Sequence, residues 1–160
     1  MAEEMTDDLH ALEMLGVQLL ARLSPAQRRA ALMEVAREMR RHQSDRIAQQ
    51  LNPDGTPYEP RKRASARSRK GRIRRQAMFQ KLRTARWLKV EASPDEAAVG
   101  FAGRIARIAA VHQYGERAPV APHGPEYRYP RRALVGVDAH DRESIRGRLM
   151  AHLEGRISRG

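Results

Sequence analysis

The sequence has no cysteine, so disulfides and thiolate metal sites are excluded, a composition at ease in a reducing compartment. Aromatic residues supply only 4% of the chain, which leaves Leu, Ile, Val, Ala and Met to build the core, a palette suited to helix packing. No apolar run approaches the roughly 18 residues needed to cross a bilayer. The first residues, MAEEMTDD, are acidic and lack the charged-then-apolar order of a secretory signal. A soluble, unexported protein with no membrane partner is expected.

Acidic residues are missing from one long stretch. Between Pro60 and Val90 there are thirteen Lys and Arg and no Asp or Glu. The chain as a whole has 31 basic and 19 acidic residues, a net charge of +12, so the remainder holds 18 bases against 19 acids. A nearly neutral body therefore carries one cationic segment, a pattern that points to a polyanionic or acidic partner at one place rather than to a uniformly basic coat. The densest part runs from Arg61 to Arg75 and contains Arg61, Lys62, Arg63, Arg67, Arg69, Lys70, Arg72, Arg74 and Arg75. Its like charges and small residues cannot bury enough apolar surface to offset the entropy of ordering, so an extended basic loop is expected. Two readings stay open: a solvated loop, or an arm that contacts DNA phosphates or an acidic protein. Stacking aromatics are absent until Phe79, which disfavours base recognition.

The 160 residues are expected to form a single domain in three stretches. Residues 1–51 form two helices. Thr6 followed by two acids resembles a helix start, and Leu9, Leu12, Leu19 and Leu23 recur on roughly one face. Ser24, Pro25 and Gln27 then spell a capping box that opens a second, long helix with a stripe of Leu32, Val35, Met39 and Ile47 toward Leu51. Residues 52–77 hold a Pro-rich turn with an Asp-Gly signal and the basic arm, with Met78, Phe79 and Leu82 anchoring its far end.

Residues 78–160 give a β-hairpin, a short helix and a C-terminal helix. Leu88, Val90 and Ala92 alternate, as do Ala97, Val99 and Phe101, with Ser93-Pro94-Asp95-Glu96 as the turn between them. Ile105, Ile108, Ala109 and Val111 follow at helical spacing, with Arg104 and Arg107 outward and Gly115 closing the helix. Pro119, Pro122 and Pro125 mark an irregular loop before a brief strand at Tyr127 and Tyr129. Asp138 caps the last helix, striped by Ile145, Leu149, Leu153 and Ile157. The order is α+β with a small antiparallel sheet.

The search for chemistry is short. Six histidines invite a metal or catalytic reading, but no His-x-x-x-His, paired-carboxylate or Gly-x-Ser-x-Gly signature is present. His112 and Glu116 are spaced for a hydrogen-bonded contact at a helix end, while His140 and His152 are expected to be solvated. Neither a cofactor nor an enzymatic activity is expected.

Two segments say more: AVGFAGRIARIAAVHQYG, from Ala98 to Gly115, and YPRRALVGVDAHDRESI, from Tyr129 to Ile145. With LNPDGTPYEPRK and MFQKLRTARWLKV they resemble, in composition and order, the virion morphogenesis or tail completion family of tailed bacteriophages, as found in Mu-like phages. The likeness covers most of the chain from about Leu32 onward. It implies a non-enzymatic virion protein at the head-tail junction or tail end, assembled in the host bacterial cytoplasm. The implied partners are other copies of itself in a ring, with a hexamer one candidate count, and other neck, connector, tail-tube or terminator proteins. Packaged DNA, met by non-specific phosphate contacts, is a further partner on this reading. Arg104, Arg107, His112, Gln113, Tyr114, Tyr129 and Arg131 are the residues expected at the subunit interface, although polar groups at the exit of a short helix also suit an intramolecular cap. The competing function is a small basic protein that binds nucleic acid without sequence preference.

Overall fold

The computed structural model describes residues 2–61 and 77–155, with backbone alone at 2–9, 19 and 20. Most of the basic stretch, Lys62 to Arg75, lies outside the described residues, as does Ile157. The elements are α1 (Ala2–Arg22), α2 (Pro25–Ala48), β1 (Leu88–Ala92), β2 (Ala97–Phe101), α3 (Arg104–Tyr114), β3 (Arg117–Pro119), β4 (Glu126–Arg128) and α4 (Ala139–Leu153). The fold class is α+β. Its strands form two separate two-stranded sheets, β1 with β2 and β3 with β4.

The chain organises into two compact units. Unit 1 contains residues 1–40, 90–99 and 138–160; unit 2 contains 41–89 and 100–137.

In unit 1, periodic apolar stripes meet one another. Val35 and Met39 of α2 and Leu149 of α4 are buried, and Leu23, Leu32, Val99, Ile145 and Leu153 pack around them. The expected capping box forms: Gln27 Oε1 accepts from the Ser24 amide at 2.9 Å, and Ser24 Oγ accepts from the Gln27 amide at 3.3 Å. Asp138 caps α4 by accepting from the Asp141 amide at 2.7 Å, and Asp141 returns the contact to the Asp138 amide at 3.1 Å. The Ser93 turn also forms as expected, closed by the Ser93 amide on the Glu96 carbonyl at 2.8 Å.

Two expectations fail here. α1 begins at Ala2, so Thr6 lies inside the helix and is not its cap. His152 is not solvated: its side chain is 11% exposed and its Nε2 lies 3.0 Å from Glu34, which also faces Arg148, while Arg148 donates to Glu38 at 2.8 Å. An i, i+4 spacing on α4 sets Arg148 and His152 one turn apart, where both reach the acids of α2.

In unit 2 the core is Ile47, Tyr58, Met78, Leu82, Ala109 and Leu134, with Phe79, Phe101 and Ile105 against it. Met78 and Leu82 thus anchor the chain beyond the basic stretch, as expected. Ile108 departs from expectation at 49% exposure. Ile105 and Ala109 are one turn apart and define the inner side, and one residue is about 100° of rotation, which swings Ile108 away from it. The stretch read as irregular contains a second hairpin, with Ala118 opposite Tyr127 and Pro119 opposite Glu126.

Candidate binding site

The segment from Tyr129 to Gly136 has no helix or strand, yet its peptide groups are partnered one after another by the surrounding parts of unit 2. The Tyr129 amide donates to Glu116 O at 3.0 Å and the Arg132 amide to His112 O at 2.7 Å. Asn52 Oδ1 accepts from the Ala133 amide at 2.8 Å, and the Tyr58 hydroxyl donates to the Ala133 carbonyl at 3.1 Å. Gln113 Oε1 accepts from the amides of Leu134 and Val135 at 2.8 and 3.1 Å, and its Nε2 donates to Val135 O at 2.9 Å. Gln43 treats Gly136 likewise, accepting from its amide at 3.1 Å and donating to its carbonyl at 2.8 Å, while Arg46 Nη2 donates to the same carbonyl at 2.7 Å. A strand obtains such bonds from a neighbouring strand; this strap obtains most of them from side chains, the amides of Gln43, Asn52 and Gln113 foremost.

Two glycines permit the close approach. Gly115 adopts φ 69° at the end of α3, and a Cβ there would lie 3.1 Å from the Arg131 amide nitrogen. A Cβ on Gly136 would lie 2.5 Å from the Pro53 ring.

Beside the strap runs a chain of rings. Tyr58 meets Phe79 edge-on at 5.8 Å, Phe79 meets His112 at 4.8 Å, His112 meets Tyr129 at 5.0 Å and Tyr129 meets Tyr127 at 5.0 Å. Four of the seven Phe, Tyr and Trp residues in the sequence are thus gathered in one place. Burial pushes the Tyr58 hydroxyl up to about 12, so it stays a donor to Ala133. His112 is pushed down to about 4 by burial first and then by the charges of Arg132 and Arg61, so its ring is neutral at neutral pH. Its Nδ1 faces Arg132 Nη1 at 3.5 Å, and the expected pairing with Glu116 does not form.

Arg132 is 4% exposed. Its Nε donates to the Glu59 carbonyl at 2.7 Å and its Nη2 to the Pro60 carbonyl at 3.2 Å. Burial holds its guanidinium below the ordinary arginine range. These groups bound a cavity of about 460 Å³: Met78, Phe79, Val120, Tyr127, Tyr129 and Pro130 form apolar walls, and His112, Arg61 and Arg132 add the polar part.

The residues expected at a subunit interface separate into two sets. Arg104, Arg107, Tyr114 and Arg131 are exposed. His112, Gln113 and Tyr129 are half-buried and make the contacts within unit 2 given above. Of the residues expected to meet DNA or an acidic partner, Arg61 is described, and it is exposed on the cavity wall; Lys62, Arg63, Arg67, Arg69, Lys70, Arg72, Arg74 and Arg75 lie outside the described residues. Sequence reasoning missed Gln43, Arg46, Asn52, Tyr58 and Arg132. Among the described residues no cluster of His, Asp or Glu is placed to hold a metal ion, and no helix is long and apolar enough to cross a membrane.

The segments that carry the family likeness converge here: Asn52 and Tyr58, Met78 and Phe79, His112 and Gln113, and the strap itself. The profile describing the phage virion morphogenesis family matches residues 7–154. The chain belongs to that family. The match begins well before Leu32, so the first helix shares it. Among virion morphogenesis proteins, the Tail completion protein S of Escherichia phage P2 is 41% identical over 137 residues, covering 85% of this chain and 91% of that one. No solved structure gives a significant match.

Proposed function

We propose that this chain is a structural, non-enzymatic component of a tailed-phage virion, which completes the tail and joins it to the head as a subunit of a ring. The observation that carries the reading is the relationship to Tail completion protein S, at 41% identity over nearly the whole of both chains. The geometry supports it in two ways. Unit 2 fixes an irregular strap by paired hydrogen bonds from Gln43, Asn52 and Gln113, which gives the neighbouring surface a defined shape. The exposed side chains of α3, Arg104, Arg107, Ile108 and Tyr114, combine cations with apolar area and suit contact with a neighbouring subunit.

The cationic stretch has a separate task on this reading. With thirteen bases and no acid between Pro60 and Val90, it meets packaged DNA or an acidic neighbour in the neck, and the protein is assembled into the particle in the host cytoplasm. Disrupting the gene is expected to leave filled heads and assembled tails that are poorly joined in electron micrographs of the lysate. A normal yield of infectious, joined particles would overturn the assignment.

A further inference from the structure

We propose that the cavity of unit 2 binds a short peptide segment of a partner protein, one that presents an apolar side chain beside a carboxylate. The volume of about 460 Å³ accommodates a large side chain with its flanking backbone. Its walls supply the apolar half of the recognition. Met78 and Phe79 come from the turn after the basic stretch, Tyr129 and Pro130 from the strap, and Val120 stands at 62% exposure on the rim, where an incoming chain would pass.

The charge is supplied by Arg132. Its guanidinium is buried, yet its hydrogen-bond partners among the described residues are all neutral: the carbonyls of Glu59 and Pro60 and the ring of His112. Glu59 attracts it only at a distance, through an exposed carboxylate that forms no bond with it. Of the five N–H groups of a guanidinium, three are spent, and the other two, on Nη1 and Nη2, have no partner among the described residues. A buried cation whose direct partners are neutral carbonyls and a neutral ring carries a desolvation cost that its surroundings only partly compensate, and an incoming carboxylate offsets the remainder. Arg61 lines the same cavity and its charge acts on Arg132, so two cations bear on one space. Charge complementarity therefore selects an anion and the ring-lined walls select an apolar group beside it. A bare phosphate would leave those walls without a contact, so an inorganic anion alone does not match the cavity.

The site stands on the geometry of unit 2 and is testable on the purified full chain, independently of particle assembly. Methionine and valine methyl signals are followed by NMR during titration with N-acetyl-L-phenylalanine, its primary amide, and inorganic phosphate. The acid is expected to shift Met78 and Val120 saturably, with the amide about tenfold weaker and phosphate leaving both methyls in place. Arg132→Gln should erase the difference between acid and amide. Because Arg132 also holds backbone, Val120→Glu at the exposed rim provides a variant that leaves the interior alone; it should weaken the acid about tenfold and the amide little. Equal affinity for acid and amide, an equal response to phosphate, or no saturable shift would each overturn the proposal.

Discussion

The two units are held together by different means. In unit 1, regular helices bury Val35, Met39 and Leu149 at helical spacing; Arg148, Glu34 and Glu38 stay partly exposed, and the one fully buried charge among its described residues, Asp141, is satisfied locally as part of a helix cap. In unit 2, polar side chains lie inside: Gln43 is 2% exposed and Arg132 4%, and both bond to backbone. The first arrangement is stabilised by area, which tolerates local change. The second depends on individual hydrogen bonds, where losing one partner leaves another buried group unsatisfied.

The largest effect should follow from Gln113→Leu, which keeps much of the volume but removes three bonds to Leu134 and Val135. A loss of about 3 kcal/mol is expected in urea denaturation, with faster hydrogen exchange concentrated in residues 129–137. A loss below about 1 kcal/mol would mean that the strap is held mainly by apolar packing and that the contrast between the units is overstated.

A smaller effect concerns pH and belongs to unit 2 alone. His112 titrates near 4 when folded and near 6.5 when unfolded, so between these values the unfolded chain binds more protons. The stability contributed by the neutral ring is complete above pH 6.5 and is lost as pH falls through 4. Solvent screening at a half-buried ring reduces the expected change to about 2 kcal/mol. His112→Phe should flatten that part of the pH profile; an unchanged profile would assign the acid sensitivity to other groups.

The smallest effect is expected in unit 1. Arg148→Ala removes the contacts with Glu38 and Glu34, but the arginine side chain is 35% exposed, so the cost should be no more than about 1 kcal/mol by thermal or chemical denaturation. A cost matching that of Gln113→Leu would erase the distinction between the units.

The same contrast decides what the sequence discloses. The elements of unit 1 announce themselves locally: Ser24 and Gln27 sit three residues apart, Asp138 precedes its helix, and Leu149 and Leu153 repeat at one turn. Unit 2 is assembled from pieces far apart in sequence. Gln43 and Gly136 are separated by 93 residues and Tyr58 and Ala133 by 75, and no periodicity links them. A polar residue read in isolation is assigned to the surface, which is why the buried bonding of Gln43 and Arg132 was not foreseen. The short strand β3 was hidden by Pro119, a residue that ordinarily argues against a strand but is tolerated on an edge. The segments that carry the family motifs are far apart in sequence and meet at the strap.

Gln50 has a consequence of its own. Its Oε1 accepts from the Met78 amide at 2.7 Å and its Nε2 donates to the Met78 carbonyl at 2.9 Å, while Arg132 grips Glu59 and Pro60 on the other side of the basic stretch. Entry and exit of the cationic insert are therefore fastened by residues outside it. The backbone on both sides of the stretch is thus positioned by residues outside it, so a change of charge between Lys62 and Arg75 leaves the partners that hold Glu59, Pro60 and Met78 in place.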